Sequence, residues 1–261
     1  MTDELLTVRD GPVATVIFNR PARHNALTLA MRRALPEIVD SLEADPEVRV
    51  IVFRGAGTEA FASGADIGEF RTVRYDARSA AAYNQVVERA EARIAGCARP
   101  TIAMTFGYAV GGGLEVAVAC DLRLAASDAR FGITASKLGI IYGLTATARL
   151  VNLVGPAHAK DILYSGRIFG ADEAATMGLV NRVLPPGELE GYAGDYARML
   201  AANAPLSITF AKHIIHRALA GPSAEAARAV EELVARGFES EDYREGVAAF
   251  LEKRPPRFRG R

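Results

Sequence analysis

Three consecutive glycines, Gly111–Gly113, lead directly into an apolar segment that carries one acid, Glu115. Glycine costs more backbone entropy on folding than any other residue, so a run of glycines indicates a tight turn or a close approach of the backbone to another group. A glycine turn that opens a helix leaves backbone N–H groups free at the positive end of the helix dipole. The segment therefore predicts an anion-binding backbone with a carboxylate one turn further on, an arrangement that could transfer protons.

The elements before and after this segment must hold it in place, and they alternate between strand and helix. Short apolar runs predict strands at residues 13–18, 48–54, 100–106, 121–125 and 130–133. Thr28 precedes apolar residues at helical spacing and is predicted to cap a helix over residues 29–42, in which Pro36 indicates a kink or a later start. Residues 71–98 are mostly helix-forming. The pattern indicates an α/β fold with helices packed on a sheet.

The last part of the chain changes to helical patterns. Helices are predicted at residues 146–154, 157–164, 171–177, 206–220, 225–240 and 242–253, with one strand at 180–184. Asp172 is predicted to cap the third of these helices. The sequence Pro-Pro-Gly at residues 185–187 marks a boundary, which predicts a core over residues 1–185 and a helical region over residues 186–261.

Composition narrows the function classes. The chain has 261 residues with 31 basic and 31 acidic side chains, and this balance argues against a protein that binds nucleic acid through phosphate neutralisation. Two cysteines do not form a disulfide framework, and the four histidines show no metal-like grouping. No apolar run reaches the roughly 20 residues of a membrane span, and the charged N-terminus lacks an apolar signal core, so a cytoplasmic protein is predicted. The pair Arg32-Arg33 is interpreted as a solvated helix face.

Four segments, taken in order, resemble one family. They are NRPARHNAL (residues 19–27), FASGADI (61–67), GYAVGGGLEVAVACDLRLA (107–125) and SEDYREGVAAFLEKRPPRF (240–258). Together they resemble the crotonase superfamily, the enoyl-CoA hydratase/isomerase family, over nearly the whole chain. The resemblance implies a spiral of ββα units followed by C-terminal helices that trimerise, giving a homotrimer or a hexamer built as a dimer of trimers. It also implies an enzyme of acyl-CoA or fatty acid metabolism with a coenzyme A thioester as substrate, without a metal or a permanently bound cofactor.

The resemblance also implies a set of site residues. The backbone N–H groups of Ala65 and Gly112 would hold the thioester oxygen as it becomes an enolate, and losing one such donor typically costs about 3 kcal/mol of transition-state stabilisation. Glu115 matches one of the two glutamates that position and activate water in hydratases. The residues that would contact coenzyme A are Arg23, Ser63, Ala65, Asp66, Ile67, Phe250 and Lys253, of which the last two would reach the coenzyme of a neighbouring subunit.

The second hydratase glutamate is absent. Ala135 stands at its position in the segment FGITASKLG, and alanine cannot exchange a proton. Thr134 and Tyr142 resemble a pair in the methylmalonyl-CoA decarboxylase branch, although that branch has a histidine where this chain has Ala65. Hydration, double-bond isomerisation and decarboxylation therefore remain open, with Glu115 as the sole candidate acid or base and Thr134 and Tyr142 as candidates for decarboxylation. A non-catalytic acyl-CoA binder is a further alternative.

Overall fold

Strands of two sheets form the centre of the molecule. The computed structural model describes residues 3–221 and 223–261. Its strands are β1 (Leu5–Asp10), β2 (Val13–Phe18), β3 (Val50–Gly55), β4 (Ala60–Ala62), β5 (Thr101–Thr105), β6 (Tyr108–Val110), β7 (Leu122–Ala126), β8 (Arg130–Gly132), β9 (Phe169–Gly170) and β10 (Arg182–Leu184). The predicted strands are all present. The strands that were not predicted are β1 and the short β4, β6 and β9, three of which have only two or three residues.

Helices cover most of the remaining chain. They are α1 (Leu29–Ala44), α2 (Phe70–Val73), α3 (Ala77–Ala95), α4 (Gly112–Ala119), α5 (Leu144–Ser165), α6 (Ala171–Thr176), α7 (Pro186–Ala202), α8 (Pro205–Ala220), α9 (Ala224–Glu239) and α10 (Glu241–Leu251). Thr28 caps α1 by accepting a hydrogen bond from the Met31 N–H, as predicted, and Pro36 lies inside the helix without delaying its start. Helix α5 contains Gly155 in a non-helical conformation, which divides it into the two predicted segments.

Strands that are adjacent in the sequence mostly belong to different sheets. The larger sheet has the order β1-β2-β3-β5-β7-β10 and is parallel except between β1 and β2. The smaller sheet has the order β4-β6-β8-β9 and is parallel except between β8 and β9. From β3 to β8, each strand of the larger sheet is followed by a strand of the smaller sheet and then by helix: β3 and β4 precede α2 and α3, β5 and β6 precede α4, and β7 and β8 precede α5. The predicted α/β class and its ββα units are confirmed.

Helix α7 was not predicted, and it covers one face of the larger sheet. Its buried residues Leu189, Ala193 and Ala197 belong to the same apolar cluster as Val50 and Ile102 of the sheet. Alanine-rich helices have a weak apolar periodicity, which explains why the sequence pattern did not reveal this one. The division at residues 185 and 186 stays a prediction, and residues 1, 2 and 222 of the two proposed regions lie outside the described residues.

One local prediction was wrong. Asp172 does not cap α6, because the N-cap residue is Gly170 and Asp172 lies in the first turn. Residues 71–98 are mostly helical, as predicted, but they form two helices, α2 and α3, and Asp76 starts the second helix with a capping box that it shares with Ser79. Within the described part of the chain, no helix is both long and apolar enough to cross a membrane.

Candidate active site

The first of the four segments that resemble the family, residues 19–27, holds the loop that follows β4 in place. Asn25 is buried, and its Nδ2 donates hydrogen bonds to the carbonyl oxygens of Ala56 (3.0 Å) and Ala60 (2.7 Å). The Leu27 N–H donates to the Gly64 carbonyl oxygen at 2.8 Å. These hydrogen bonds fix the backbone on both sides of the loop. The N–H of Ala65, the residue after Gly64, therefore has a defined direction.

The two loops that carry the predicted oxyanion donors lie against each other. A Cβ placed on Gly64 would lie 3.2 Å from the Val110 carbonyl oxygen and 3.8 Å from the Gly112 nitrogen. Gly64 has a φ of +117°, a conformation that favours glycine. Neither the Ala65 N–H nor the Gly112 N–H donates a hydrogen bond to another described residue. Both groups are therefore available to an oxygen atom of a ligand, and Gly112 adds the positive end of the α4 dipole.

A cavity of about 160 Å³ brings together the predicted catalytic residues. Its lining includes Ala65, Gly112, Glu115, Thr134 and Tyr142. They come from three successive ββα units, which explains why residues so far apart in the sequence share one cavity. The structure thus places the five predicted residues around one space, while their chemical roles remain predictions.

Glu115 projects from the first turn of α4 into the floor of this cavity. Burial raises the pKa of its carboxyl well above the usual range, the negative charge of Glu91 raises it further, and the Arg32 guanidinium opposes both effects. A carboxyl that keeps its proton near neutral pH can act as an acid, and its ionised form can act as a base. The position of Glu115 therefore favours proton transfer.

Sequence reasoning missed two residues of the cavity floor, Arg32 on α1 and Glu91 on α3. They are 1% and 2% exposed, and Arg32 Nη1 lies 3.5 Å from Glu91 Oε1. The interpretation of Arg32 as a solvated residue was wrong. The position of Arg32 in the sequence could have indicated its burial, because it lies on the same buried face of α1 as Met31 and Leu35.

Arg32 also explains why residue 112 is a glycine. A Cβ placed there would lie 2.1 Å from Arg32 Nη2 and 3.5 Å from Glu115 Oε2. The guanidinium thus lies directly beside the backbone of the predicted oxyanion donor. No described residue accepts a hydrogen bond from Arg32, and its buried Nε and Nη1 atoms are both without a partner.

The wall formed by the segment after β8 carries hydroxyl groups and no acid. Ala135 lines the cavity, as do Thr134 and Tyr142. The Tyr142 hydroxyl lies 3.9 Å from the point where a Cβ on Gly111 would be, so it faces the glycine turn. Burial and then the negative charges of Glu115 and Glu91 raise the pKa of Tyr142 well above its usual value, which keeps the hydroxyl a neutral donor.

The residues predicted to contact coenzyme A are not all at the cavity. Ser63 and Ile67 line it. The Asp66 carboxylate accepts hydrogen bonds from Arg20 at 2.9 Å and from the Gly68 N–H at 3.0 Å, so it has protein partners already. Arg23 is exposed beside the loop that follows β4.

Phe250 and Lys253 lie at the end of the C-terminal helices. Phe250 is 83% exposed, and it lines an apolar groove formed by α8, α9 and α10. Neither residue lines the cavity of its own chain. This placement is compatible with the predicted contact to a neighbouring subunit and does not test it.

The fold and the cavity define a class of protein, and comparisons with known proteins identify it. The family model described as "Enoyl-CoA hydratase/isomerase" matches residues 9–261. The chain is 35% identical to the short-chain-enoyl-CoA hydratase of Clostridium acetobutylicum over 253 residues, which cover 97% of this chain and 96% of that protein. It is 34% identical to the crotonyl-CoA hydratase of Syntrophomonas wolfei, with 98% of each chain covered.

A solved structure gives the same result. The chain superimposes on an enoyl-CoA hydratase/carnithine racemase from Magnetospirillum magneticum with a TM-score of 0.95 and 41% identity, covering 100% of this chain and 97% of the other. The protein belongs to the enoyl-CoA hydratase/isomerase family and is an enzyme of that crotonase-type class.

Proposed function

We propose that this enzyme acts on an enoyl thioester of coenzyme A through a thioester enolate, with Glu115 as the group that takes up and returns the proton. The observation that carries the proposal is the position of Glu115 in the cavity floor, with its Oε2 next to the backbone of Gly112. The names of the relatives support the substrate class, because they are hydratases of enoyl-CoA and crotonyl-CoA.

The enolate oxygen would accept hydrogen bonds from the N–H groups of Ala65 and Gly112. Donors that are already oriented stabilise a developing negative charge without reorganising during the reaction. The positive end of α4 and the Arg32 guanidinium would add to this stabilisation, because both lie beside Gly112. The cavity floor therefore favours an anionic intermediate over a neutral thioester.

Isomerisation is the reaction that this arrangement supports best. Glu115 would remove a proton from the carbon next to the thioester of a 3-enoyl chain, and the C–H electrons would pass into the enolate. The same carboxyl would then return the proton to the fourth carbon while the double bond moves. Hydration needs a second group to activate water, and Ala135 provides none at the position that the family resemblance indicates.

Decarboxylation is the second candidate, and the hydroxyls of Thr134 and Tyr142 favour it. Both line the cavity, and neither forms a side-chain hydrogen bond to a described residue. They could hold a carboxylate out of the thioester plane, so that the C–C bond breaks, carbon dioxide leaves and its electron pair forms the enolate. A proton from Glu115 or water would complete the product.

Parallel assays with three substrates test the proposal. Crotonyl-CoA, a 3-enoyl-CoA and methylmalonyl-CoA are incubated separately with the enzyme, and the products are identified by mass. We expect Glu115→Gln to lower isomerisation by about 10²- to 10⁴-fold, the usual contribution of a general acid or base. The Thr134→Val and Tyr142→Phe variants serve as controls that should selectively impair decarboxylation. Unchanged activity in Glu115→Gln would overturn its role, and tight acyl-CoA binding without any turnover would favour a binding protein instead.

The coenzyme would extend out of the cavity past Ser63 and Ile67. We propose that Arg23 and Asp66 flank it and that Phe250 and Lys253 of a neighbouring subunit contact its nucleotide end in a homotrimer or hexamer. The exposed apolar groove of the last three helices supports such an assembly, since Phe238, Val247 and Leu251 lie there with Phe250. The cytoplasmic location and the lack of a permanently bound cofactor remain predictions.

A further inference from the structure

The cavity floor contains a second carboxyl that the family resemblance does not assign. Glu91 projects from α3, lines the same cavity as Glu115 and is almost fully buried. Protein N–H groups satisfy only one of its oxygens: Arg149 Nη1 donates to Oε2 at 3.4 Å, whereas no described N–H or hydroxyl donates to Oε1. Glu91 and Glu115 also face each other across a second, smaller cavity, and each carboxyl influences the pKa of the other. A hydrogen bond between two carboxyls forms only when one of them carries a proton.

The surrounding charges determine which carboxyl holds that proton. Two adjacent buried carboxylates repel each other, so one of them stays protonated. Burial raises the pKa of Glu91 above its usual value, but two cationic neighbours, Arg32 on α1 and Arg149 on α5, oppose this and favour its ionised form. The titratable and charged groups that surround Glu115 in the two cavities are Arg32, Arg74, Tyr83, Glu88, Glu91, Tyr142 and Arg149.

We propose that Glu91 is a positioning residue that shares one proton with Glu115, so that the two side chains act as a single acid–base pair held by Arg32 and Arg149. The proposal deepens the proposed function and rests on it, because it concerns the proton that Glu115 exchanges with the substrate. It also gives the site a second carboxyl, which comes from α3 and not from the segment after β8 that contains Ala135.

The pair lets Glu115 change roles without exchanging a proton with solvent. When the proton moves from Glu115 to Glu91, one O–H bond breaks, another forms and Glu115 becomes a base. After Glu115 has taken a proton from the substrate and returned it to another carbon, the proton on Glu91 moves back. The pair begins and ends each isomerisation with one proton, so the balance is closed.

The test measures the proton directly by infrared spectroscopy and the catalytic consequence by pH profiles. The variants are Glu91→Gln and Glu115→Gln, with Glu37→Gln as a matched control that makes the same chemical change on the exposed face of α1, outside the cavity. The wild-type enzyme should show a carboxylic acid band at neutral pH that is unchanged in Glu37→Gln. The band should disappear in Glu115→Gln, because both arginines then act on an unopposed Glu91.

In Glu91→Gln the carboxylic acid band should titrate at lower pH, because the negative charge beside Glu115 is gone. We expect kcat at the wild-type optimum to fall about 10-fold or more, with a smaller change in KM and a profile moved to lower pH. An unmoved titration and pH profile would overturn the proposal, as would a band that persists in Glu115→Gln. The wild-type and Glu115→Gln spectra decide the question even if Glu91→Gln does not fold. They need no substrate, so a failure of the proposed reaction would be recognised separately.

Discussion

The two ends of helix α4 each have a buried arginine, and the arginines are bonded in opposite ways. At the C-terminal end Arg123 donates hydrogen bonds to four backbone carbonyl oxygens, at 2.7 Å to Leu179, 2.8 Å to Cys120, and 3.3 Å to Ala117 and Asp121. At the N-terminal end Arg32 donates none to a described residue. Both side chains are almost fully buried.

The helix dipole makes this contrast more informative. A cation near a helix C-terminus is stabilised, and Arg123 also satisfies carbonyls that the end of the helix leaves free. A cation near the N-terminus is disfavoured, and a buried donor without a partner adds a further cost. Arg32 is therefore poorly placed for stability alone. The buried carboxyls of Glu91 and Glu115 account for its position, and the proposed anionic intermediate would be a further reason for it.

Removing each arginine gives the largest expected difference between the two ends. Arg123→Met should lower the free energy of unfolding by about 3 kcal/mol or more, because four carbonyl oxygens, three of them in buried hydrogen bonds, lose their partner. Arg32→Met should cost about 1 kcal/mol or less, since Glu91 keeps Arg149 as a partner. Urea denaturation of both variants measures the difference. Equal losses would mean that the two arginines have the same structural role.

Substitutions of two neighbouring glycines at the start of α4 should also differ, one affecting mainly stability and the other mainly activity. A Cβ on Gly113 would lie 2.0 Å from the Ala62 carbonyl oxygen, which is backbone of β4 and cannot easily move. Gly113→Ala should therefore cost about 1–3 kcal/mol or prevent folding. Gly112→Ala would meet only the end of the Arg32 side chain, at 2.1 Å. We expect it to fold with a smaller loss of stability and a large loss of kcat, as checked by thermal melts and the substrate assays. A Gly112→Ala variant with full activity would contradict the close packing of the cavity floor.

The smallest expected effect is a gain in stability on replacing Glu115. Its pKa is raised in the folded state, so the stability that its protonated form contributes is complete below the unfolded pKa and is lost as the pH rises through the folded value. Glu115→Gln removes this loss, and its melting temperature should exceed that of the wild type increasingly as the pH rises. The control variant Glu37→Gln should follow the wild type, because Glu37 is exposed on α1. A pH-independent difference in melting temperature would show that ionisation of Glu115 does not limit stability.

The sequence predicted the parts of the site that depend on local signals. The glycine run, the loop around Ala65 and the acid at Glu115 are contiguous patterns, and the structure places them around one cavity. Arg32 and Glu91 were not predicted as site residues because a single charged residue on a helix is normally solvated. Only tertiary packing shows that these two side chains face inward. Their place on the buried stripes of α1 and α3 was a usable signal. Helix α7 escaped because alanines, rather than large side chains, pack it on the sheet.

The oxyanion donors predicted here are main-chain atoms, and this has a consequence for how the enzyme can diverge. Substitution can replace Glu115, Thr134 or Tyr142, but only a change to proline would remove the N–H of Ala65 or Gly112. The capacity to hold an enolate would therefore be inherited with the backbone. The reaction that the enolate then undergoes would depend on a few side chains from separate ββα units. Each of these side chains could change independently of the others.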